Sequence, residues 1–298
     1  MDKSIDKRTK ILRWVIGIAI IVSLIIIIIF QKAQTPNDIV KEGTAQIHYI
    51  DVGQADATLI LTKNNSVLID TGRADIDDEV INYIKSKNVE VLDYLIITHF
   101  DADHFGEAWD VLEKLGARTL VMPRQEISSI EHQDFINKLA TKEDQSIIYA
   151  NDIVGKSLED LDEIDIKILA PMESYYVDSN NYSVVSLVTF GENKFLFTGD
   201  LEDETTICKE YSDAFLKCDA YKVGHHGSKY SSGNELLLKV KPKIAVISCG
   251  EGNDNNHPHD QTLERLELIK DIEIYRTDEN GTIVITTDGA ECTVKTEK

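Results

Sequence analysis

Four potential metal ligands fall within six residues of this chain, His99, Asp101, Asp103 and His104, in the segment LIITHFDADHFG. The apolar run before them reads as a strand and the residues after them as the start of a helix, so they stand on a loop leaving a sheet. Two carboxylates and two imidazoles crowded on one loop repel one another, or waste desolvation energy, unless a cation lies between them. A surface loop with no such task usually carries one histidine at most. The cluster therefore predicts a layered α/β domain with a cation site at one sheet edge.

Three further segments repeat the placement. FLFTGD ends an apolar run in Asp200, AYKVGHHGS ends another in the adjacent His225 and His226, and the loop SCGEGNDNNHPHD carries His257 and His259 around Pro258. A Gly-Asp turn after a strand is ordinary turn chemistry and says little alone, and His257 and His259 suit a polar turn equally well. Adjacent histidines before a flexible glycine are seldom needed for packing.

Between these motifs, short apolar runs alternate with turn residues, as in AQIHYI, ATLILT, SVLID and DYLIIT, which is the pattern of a sheet with interleaved helices. Helices are expected over 77–86, 105–115, 128–142, 202–211, 235–239 and 261–270. Further strands are expected at TLVMP and over 146–150, 164–170, 184–190, 194–198, 220–223 and 243–248, with hairpin-like turns at DENG and TDGA near the end. His48, in AQIHYI, reads as a satisfied sheet residue and His132, in SIEHQDF, as a solvated residue on a polar helix. Trp109 has the spacing of a helix core residue beside the metal loop. Cys208, Cys218, Cys249 and Cys292 form no CxxC pair, which excludes a zinc ribbon or a thioredoxin-type motif and leaves them as small core residues.

The charge is unevenly spread. Residues 1 to 32 hold six of the 31 bases and two of the 52 acids, leaving 25 bases against 50 acids, a net of −25, in residues 33 to 298. Such a surface argues against broad electrostatic gripping of nucleic acid, because that grip depends on lysines and arginines replacing phosphate counterions. Within the basic segment, Trp14–Phe30 is an uncharged run of 17 residues with five bases before it and Lys32 after it. At about 1.5 Å per residue it covers most of a roughly 30 Å hydrocarbon layer. The run is longer than a signal-peptide core and no small-x-small cleavage site follows it, so an uncleaved anchor is the favoured reading. The positive-inside rule then places the N-terminus in the cytoplasm and the rest of a single-pass protein of the cell membrane outside. The expected organisation is an anchor over 1–32, a linker over 33–44 and one globular domain over 45–298.

The ordered set DVGQADA, LIDTG, THFDADH, NNYS, FTGD, VGHHGS and SCGEGNDNNHP resembles the metallo-β-lactamase superfamily, in particular the hydrolase domain of DNA-uptake proteins of the ComEC type and its free-standing relatives. The resemblance covers roughly residues 45 to 290 and implies an αββα sandwich, here preceded by a transmembrane helix. It implies one or two divalent ions, zinc or manganese, held by His99, Asp101, Asp103, His104, bridging Asp200 and His225, with His226 adjacent to the last. Asp70 would orient a ligand histidine, and Asn181, Ser183 and Ser228 would support the site or the substrate. Asp103 would orient a water deprotonated at the metals, and His226 or His257 would protonate the leaving oxygen. The chain departs from much of the superfamily in carrying Asp101 where histidine is common and NNYS where a third histidine stands, which weakens one metal position. Ala55 replaces a usual glycine.

The activity so implied is hydrolysis of a phosphodiester, as a phosphodiesterase or nuclease acting on DNA or a similar polymer. A cell-envelope phosphodiester or another small ester or lactam is the alternative, and a non-catalytic binding module on the same fold is the reading from a different class. Metal content separates the last from the others.

Overall fold

The computed structural model describes residues 40–126 and 129–298. The apolar run over 14–30, the anchor segment 1–32 and the linker before Val40 lie outside the described residues. Among the described residues, no helix is long and apolar enough to cross a membrane.

Fourteen strands build two sheets among the described residues. The first six are β1 (Ala45–Tyr49), β2 (Thr58–Leu61), β3 (Ser66–Ile69), β4 (Leu92–Ile96), β5 (Ala117–Met122) and β6 (Ser146–Tyr149). The next six are β7 (Asp165–Ala170), β8 (Val185–Phe190), β9 (Asn193–Phe197), β10 (Ala220–Lys222), β11 (Ile244–Ile247) and β12 (Glu273–Arg276), and the chain closes with β13 (Ile283–Thr287) and β14 (Cys292–Thr296). One sheet has the order β14-β13-β1-β2-β3-β4-β5-β6 and the other β12-β11-β10-β9-β8-β7. Strands β3 to β6 run parallel to one another, as do β9 to β12.

Alternation along the strands makes the layers. In β2, β3 and β4, Ile60, Val67, Ile69, Tyr94 and Ile96 meet Phe195, Phe197, Ile166, Ile168 and Val246 of the other sheet in a central core. The intervening Leu59, Leu61, Leu68 and Leu95 face outward onto helices at 79–86, 102–105, 108–114 and 130–139. On the second sheet Leu187, Leu196, Tyr221, Ala245 and Ile247 face helices at 205–210, 234–240 and 260–267. A period of two on strands buried on both faces produces four layers, helix, sheet, sheet, helix.

Some expectations need correcting. DENG is not a hairpin: it forms the short helix Thr277–Asn280, which carries the chain from β12 in one sheet to β13 in the other. Strand β12 itself was not expected, because EIYR is bounded by charged turn residues and is only half-buried. The helix expected over 105–115 is two pieces, Ala102–Phe105 and Ala108–Lys114. His132 is buried rather than solvated, with its ring 4.3 Å from that of Phe100. His48 sits in β1 with its ring nitrogens on Tyr83 and Gln46, and Cys208, Cys218 and Cys249 are buried.

Candidate metal centre

Parallel strands end together, and in this fold the ends of two parallel sets meet. Ile69 leads into Asp70, Ile96 into Thr98 and His99, Phe197 into Asp200, and Lys222 into His225 and His226. Residues at the carboxyl ends of parallel strands are displayed where the sheet stops, the usual place for a site in such folds.

The histidines are oriented from behind. Asp70 accepts hydrogen bonds from the Thr98 amide (2.8 Å), from Thr98 Oγ1 (2.7 Å) and from His104 Nδ1 (2.8 Å). Since the Thr98 hydroxyl proton goes to Asp70, the 3.0 Å contact between His99 Nδ1 and Thr98 Oγ1 has the imidazole as donor. His226 Nδ1 donates to the Ser248 carbonyl at 2.9 Å, and His225 Nδ1 to Glu202 Oε1 at 3.0 Å. All four rings therefore carry Nδ1–H, and in its neutral form each leaves a lone pair on Nε2.

All four of those lone pairs face carboxylates, that of His225 at 3.7 Å from Asp200 Oδ2. His104 Nε2 lies 3.3 Å from Asp200 Oδ2, and His226 Nε2 lies 3.2 Å from Asp103 Oδ2 and 3.5 Å from Asp200 Oδ2. His99 Nε2 is 3.8 Å from Asp101. The Nε2 atoms of His99, His104 and His226, with Asp200 Oδ1 and Asp56 Oδ1, are buried and have no hydrogen-bond partner. Donor atoms of Asp56, His104, Asp200 and His226 lie within 4.8 Å of one another. Acceptors arranged in this way are costly unless a proton or a cation sits among them. Nitrogen and carboxylate donors in this number suit a divalent ion such as zinc or manganese.

The electrostatics express the same demand for positive charge. Burial disfavours a charged His104, yet Asp200 and Asp70 push its imidazole well above the usual histidine value, and the proton so retained stands where a cation would. Burial likewise opposes ionisation of Asp200, but His104 and His226 hold its carboxyl well below the usual range. His99, which lacks so close an anion, is pushed down to about 4 by burial and by His104. Burial raises the carboxyl of Asp101, which sits nearer the rim.

The two adjacent histidines are not equivalent. The His226 side chain is 1% exposed and aims Nε2 inward, whereas that of His225 is 21% exposed, bonds Glu202, and approaches Asp200 only to 3.7 Å. Their backbones hold φ of 49° and 51°, a left-handed pair that L-residues adopt only under constraint. Gly227 follows with φ of +83°, and a Cβ there would fall 2.5 Å from Pro258 Cβ. That closeness seats the loop bearing His257 on the turn: the His257 ring lies 5.3 Å from that of His225 and 6.2 Å from that of His226. Burial, with His225 and His226, pushes His257 down to about 4.

The remaining residues singled out from the sequence support the loops. Ser183 Oγ accepts from the Asp200 amide, and Asn181 Oδ1 accepts from the amides of Glu202 and Asp203. The buried Ser228 turns back through its amide onto the His225 carbonyl. Asn180 lies beside them in the turn 179–182.

Asp56, Lys222 and Glu202 also stand in the cluster, and the sequence reading passed over them. Asp56 Oδ2 is 2.8 Å from Lys222 Nζ, and both side chains are buried. One signal was present: with Ala220 facing the central core and Tyr221 the helices, period two turns Lys222 inward. A lysine on a buried face needs an anion.

Comparison with known proteins agrees with this geometry. The family model described as the metallo-beta-lactamase superfamily matches residues 50–251. ComE operon protein 3 of Bacillus subtilis is 32% identical over 258 residues, 80% of this chain and 32% of that protein. Recombination protein 2 of Haemophilus influenzae is 29% identical over 89% of this chain and 31% of its own length, and Competence protein ComA of Neisseria gonorrhoeae 28% identical over 82% and 32%. These are ComEC-like relatives, and the chain spans about a third of their length. Among solved structures, the metallo-beta-lactamase fold protein YhfI from Bacillus subtilis superposes with a TM-score of 0.50 at 13% identity, covering 80% of this chain and 98% of that one. CmlA, a diiron β-hydroxylase from Streptomyces venezuelae, gives 0.53 at 14% identity over 80% of this chain and 53% of its own. With the two-sheet fold, the donors at one edge and a family match over most of the domain, the chain belongs to the metallo-β-lactamase superfamily.

Proposed function

We propose that this protein is a metal-dependent phosphodiesterase, held at the cell membrane by residues 14–30 with its catalytic domain outside the cytoplasm. The observation that carries the catalytic reading is the set of buried acceptors without partners, His99 Nε2, His104 Nε2, His226 Nε2 and Asp200 Oδ1, gathered at one sheet edge. A binding module with no metal to hold has no reason to keep them. His104, His226, Asp103 and Asp200 would hold one ion, with Asp56 in reach of it, and His99, Asp101 and Asp200 a second. His226 takes the inner position for which the motif alone had suggested His225. When bound, such ions lower the pKa of a coordinated water and polarise the substrate oxygen.

The chain's own groups then have separate tasks. Asp70 and the Ser248 carbonyl hold His104 and His226 in the tautomer that presents Nε2. Asp103, part-exposed beside His226, would orient the attacking water. His225, with Glu202 on Nδ1, faces the rim, and the buried His257 packs against it beside the place where a leaving oxygen would depart. Ser183 and Asn181 fix the segment that carries Asp200.

The ComEC-like relatives support a nucleic-acid substrate, and the acidic surface favours a short or single-stranded one over a long duplex. The net of −25 beyond residue 32 repels a polyanion everywhere except at the cations. The same observation supports the second reading, a cell-envelope phosphodiester of low charge. One assay tests both: the protein loaded with manganese or zinc is offered single- and double-stranded DNA, RNA, a bis-aryl phosphodiester and a chromogenic β-lactam. Phosphodiester cleavage abolished by chelator is expected. Turnover of the lactam with every phosphodiester left intact would overturn the proposal.

A further inference from the structure

We infer that Lys222 is a positioning residue that serves the metal cluster as a resident counter-cation, competing with the bound ion for Asp56 and thereby setting how tightly that ion is held. The inference rests on the metal-dependent reading above and adds a residue to it. Lys222 closes β10, three residues before His225, and its side chain turns into the space between the sheets. Nζ lies 2.8 Å from Asp56 Oδ2 and 3.3 Å from the Val223 carbonyl, and the side chain is 3% exposed. An ammonium so enclosed does not reach a substrate, so any effect on the reaction passes through the cluster.

Asp56 is the group through which it acts. It stands on the loop between β1 and β2, in the opposite sheet from Lys222, so the pair ties the two sheets together under the site. Its amide donates to the Asp103 carbonyl and its own carbonyl accepts from the Gly72 amide, which fixes the backbone of the metal loop to it. One carboxylate oxygen is taken by Lys222. The other has no hydrogen-bond partner and lies 3.8 Å from His226 Nδ1, and a carboxylate oxygen of Asp56 falls within 4.8 Å of donor atoms of His104, Asp200 and His226. Asp56 therefore has two cationic claimants, the ammonium and whatever occupies the cluster.

The charge balance is the physical reason. The fully enclosed carboxylates at this edge are Asp56, Asp70 and Asp200, and the histidines facing them offer lone pairs to an ion that displaces the proton from His104. Lys222 is the buried lysine among them, and it offsets one of the three negative charges before any ion arrives. Removing it leaves Asp56 wholly available to an incoming ion and makes the cluster more negative, both of which strengthen binding of a divalent cation. Removing Asp56 alone leaves a buried ammonium without its partner, repelling that cation.

The test is a two-by-two cycle on the full chain, with Zn²⁺ alone as probe, titrated into chelator-stripped protein against a competing chromophoric chelator. Lys222→Met is expected to bind zinc at least tenfold more tightly than wild type, Asp56→Asn at least tenfold more weakly, and Asp56→Asn/Lys222→Met within about threefold of wild type, since both charges are gone. A purely structural strut predicts the opposite sign for Lys222→Met and no recovery in the double variant. Should Lys222→Met fail to fold, the Asp56→Asn single and the double variant still decide: a double variant that binds as weakly as Asp56→Asn overturns the inference. Wild-type protein that takes up no zinc overturns the metal reading itself. Wild-type protein that binds zinc while Lys222→Met binds no more tightly overturns the role of Lys222 alone.

Discussion

Exchanging His225 and His226 separately for alanine asks the structure its sharpest question, because the two rings are adjacent in sequence and opposite in burial. Their side chains are 21% and 1% exposed, and it is His226 whose Nε2 has no partner while lying 3.2 and 3.5 Å from two carboxylates. An ion present at about a hundred times its Kd stabilises the folded state by about 2.7 kcal/mol. For a domain of this size each kcal/mol moves Tm by about 2–4 °C, so metal should raise the wild-type Tm by about 5–11 °C. Loss of even an outer partner of a ligand weakens metal binding by about 10- to 100-fold. At the upper end, appropriate to His226→Ala, the ion sits near its Kd, contributing about 0.4 kcal/mol and a shift of only about 1–2 °C. At the lower end, an upper limit for His225→Ala, about 1.4 kcal/mol and about 3–6 °C remain. The assay is thermal unfolding of chelator-stripped protein with and without manganese or zinc at one fixed concentration. A shift retained in His226→Ala and lost in His225→Ala would refute the assignment of the inner ligand and, with it, the tautomer argument from the Ser248 carbonyl.

Three other outcomes follow from the same contacts. Gly227→Ala is expected to destabilise the domain by about 1–3 kcal/mol or more, since the added Cβ meets Pro258 at 2.5 Å in a left-handed backbone, and to weaken metal binding by displacing His226; urea unfolding with a metal titration checks both. Glu204 is buried, and its carboxyl, which accepts from the Ser232 and Gly233 amides, is pushed up to about 7, burial being the main cause. The folded state then binds the proton more tightly than the unfolded state, so this group's contribution is full below about pH 4.5 and declines as pH rises to about 7, by roughly 3 kcal/mol in all. Glu204→Gln should flatten that slope in denaturant midpoints measured from pH 4.5 to 7.5. Phe195→Ala, at the centre of the layer between the sheets, should cost about 3–5 kcal/mol in chemical unfolding while leaving the metal stoichiometry of the folded fraction unchanged.

Much of the fold was legible because its strands are short apolar runs bounded by turn residues, and TLIL, SVLI and IAVI leave little choice. The errors fell where local pattern and tertiary role diverge. DENG looks like a hairpin turn, yet β12 and β13 belong to different sheets, and no local signal reports which sheet a strand will join. SIEHQDF is a polar sequence, but the ring of Phe100, one residue beyond His99, covers His132.

By itself, the sequence determined which residue types would be spent at strand ends. His99, Asp101, Asp103, His104, Asp200, His225 and His226 are too many ligands at too few places for packing or solubility to require them, and that excess is a property of composition along the chain. Only the tertiary structure decided how they are used. Which of two adjacent histidines turns inward depends on a left-handed backbone pair braced by Gly227 against Pro258, contacts between segments about 30 residues apart. That Asp56 and Lys222 join the site depends on two sheets stacking so that a loop of one lies over a strand end of the other. Ligand chemistry is local and can be read residue by residue, whereas burial, tautomer and charge balance are set by neighbours distant in sequence, and those exist only once the layers have packed.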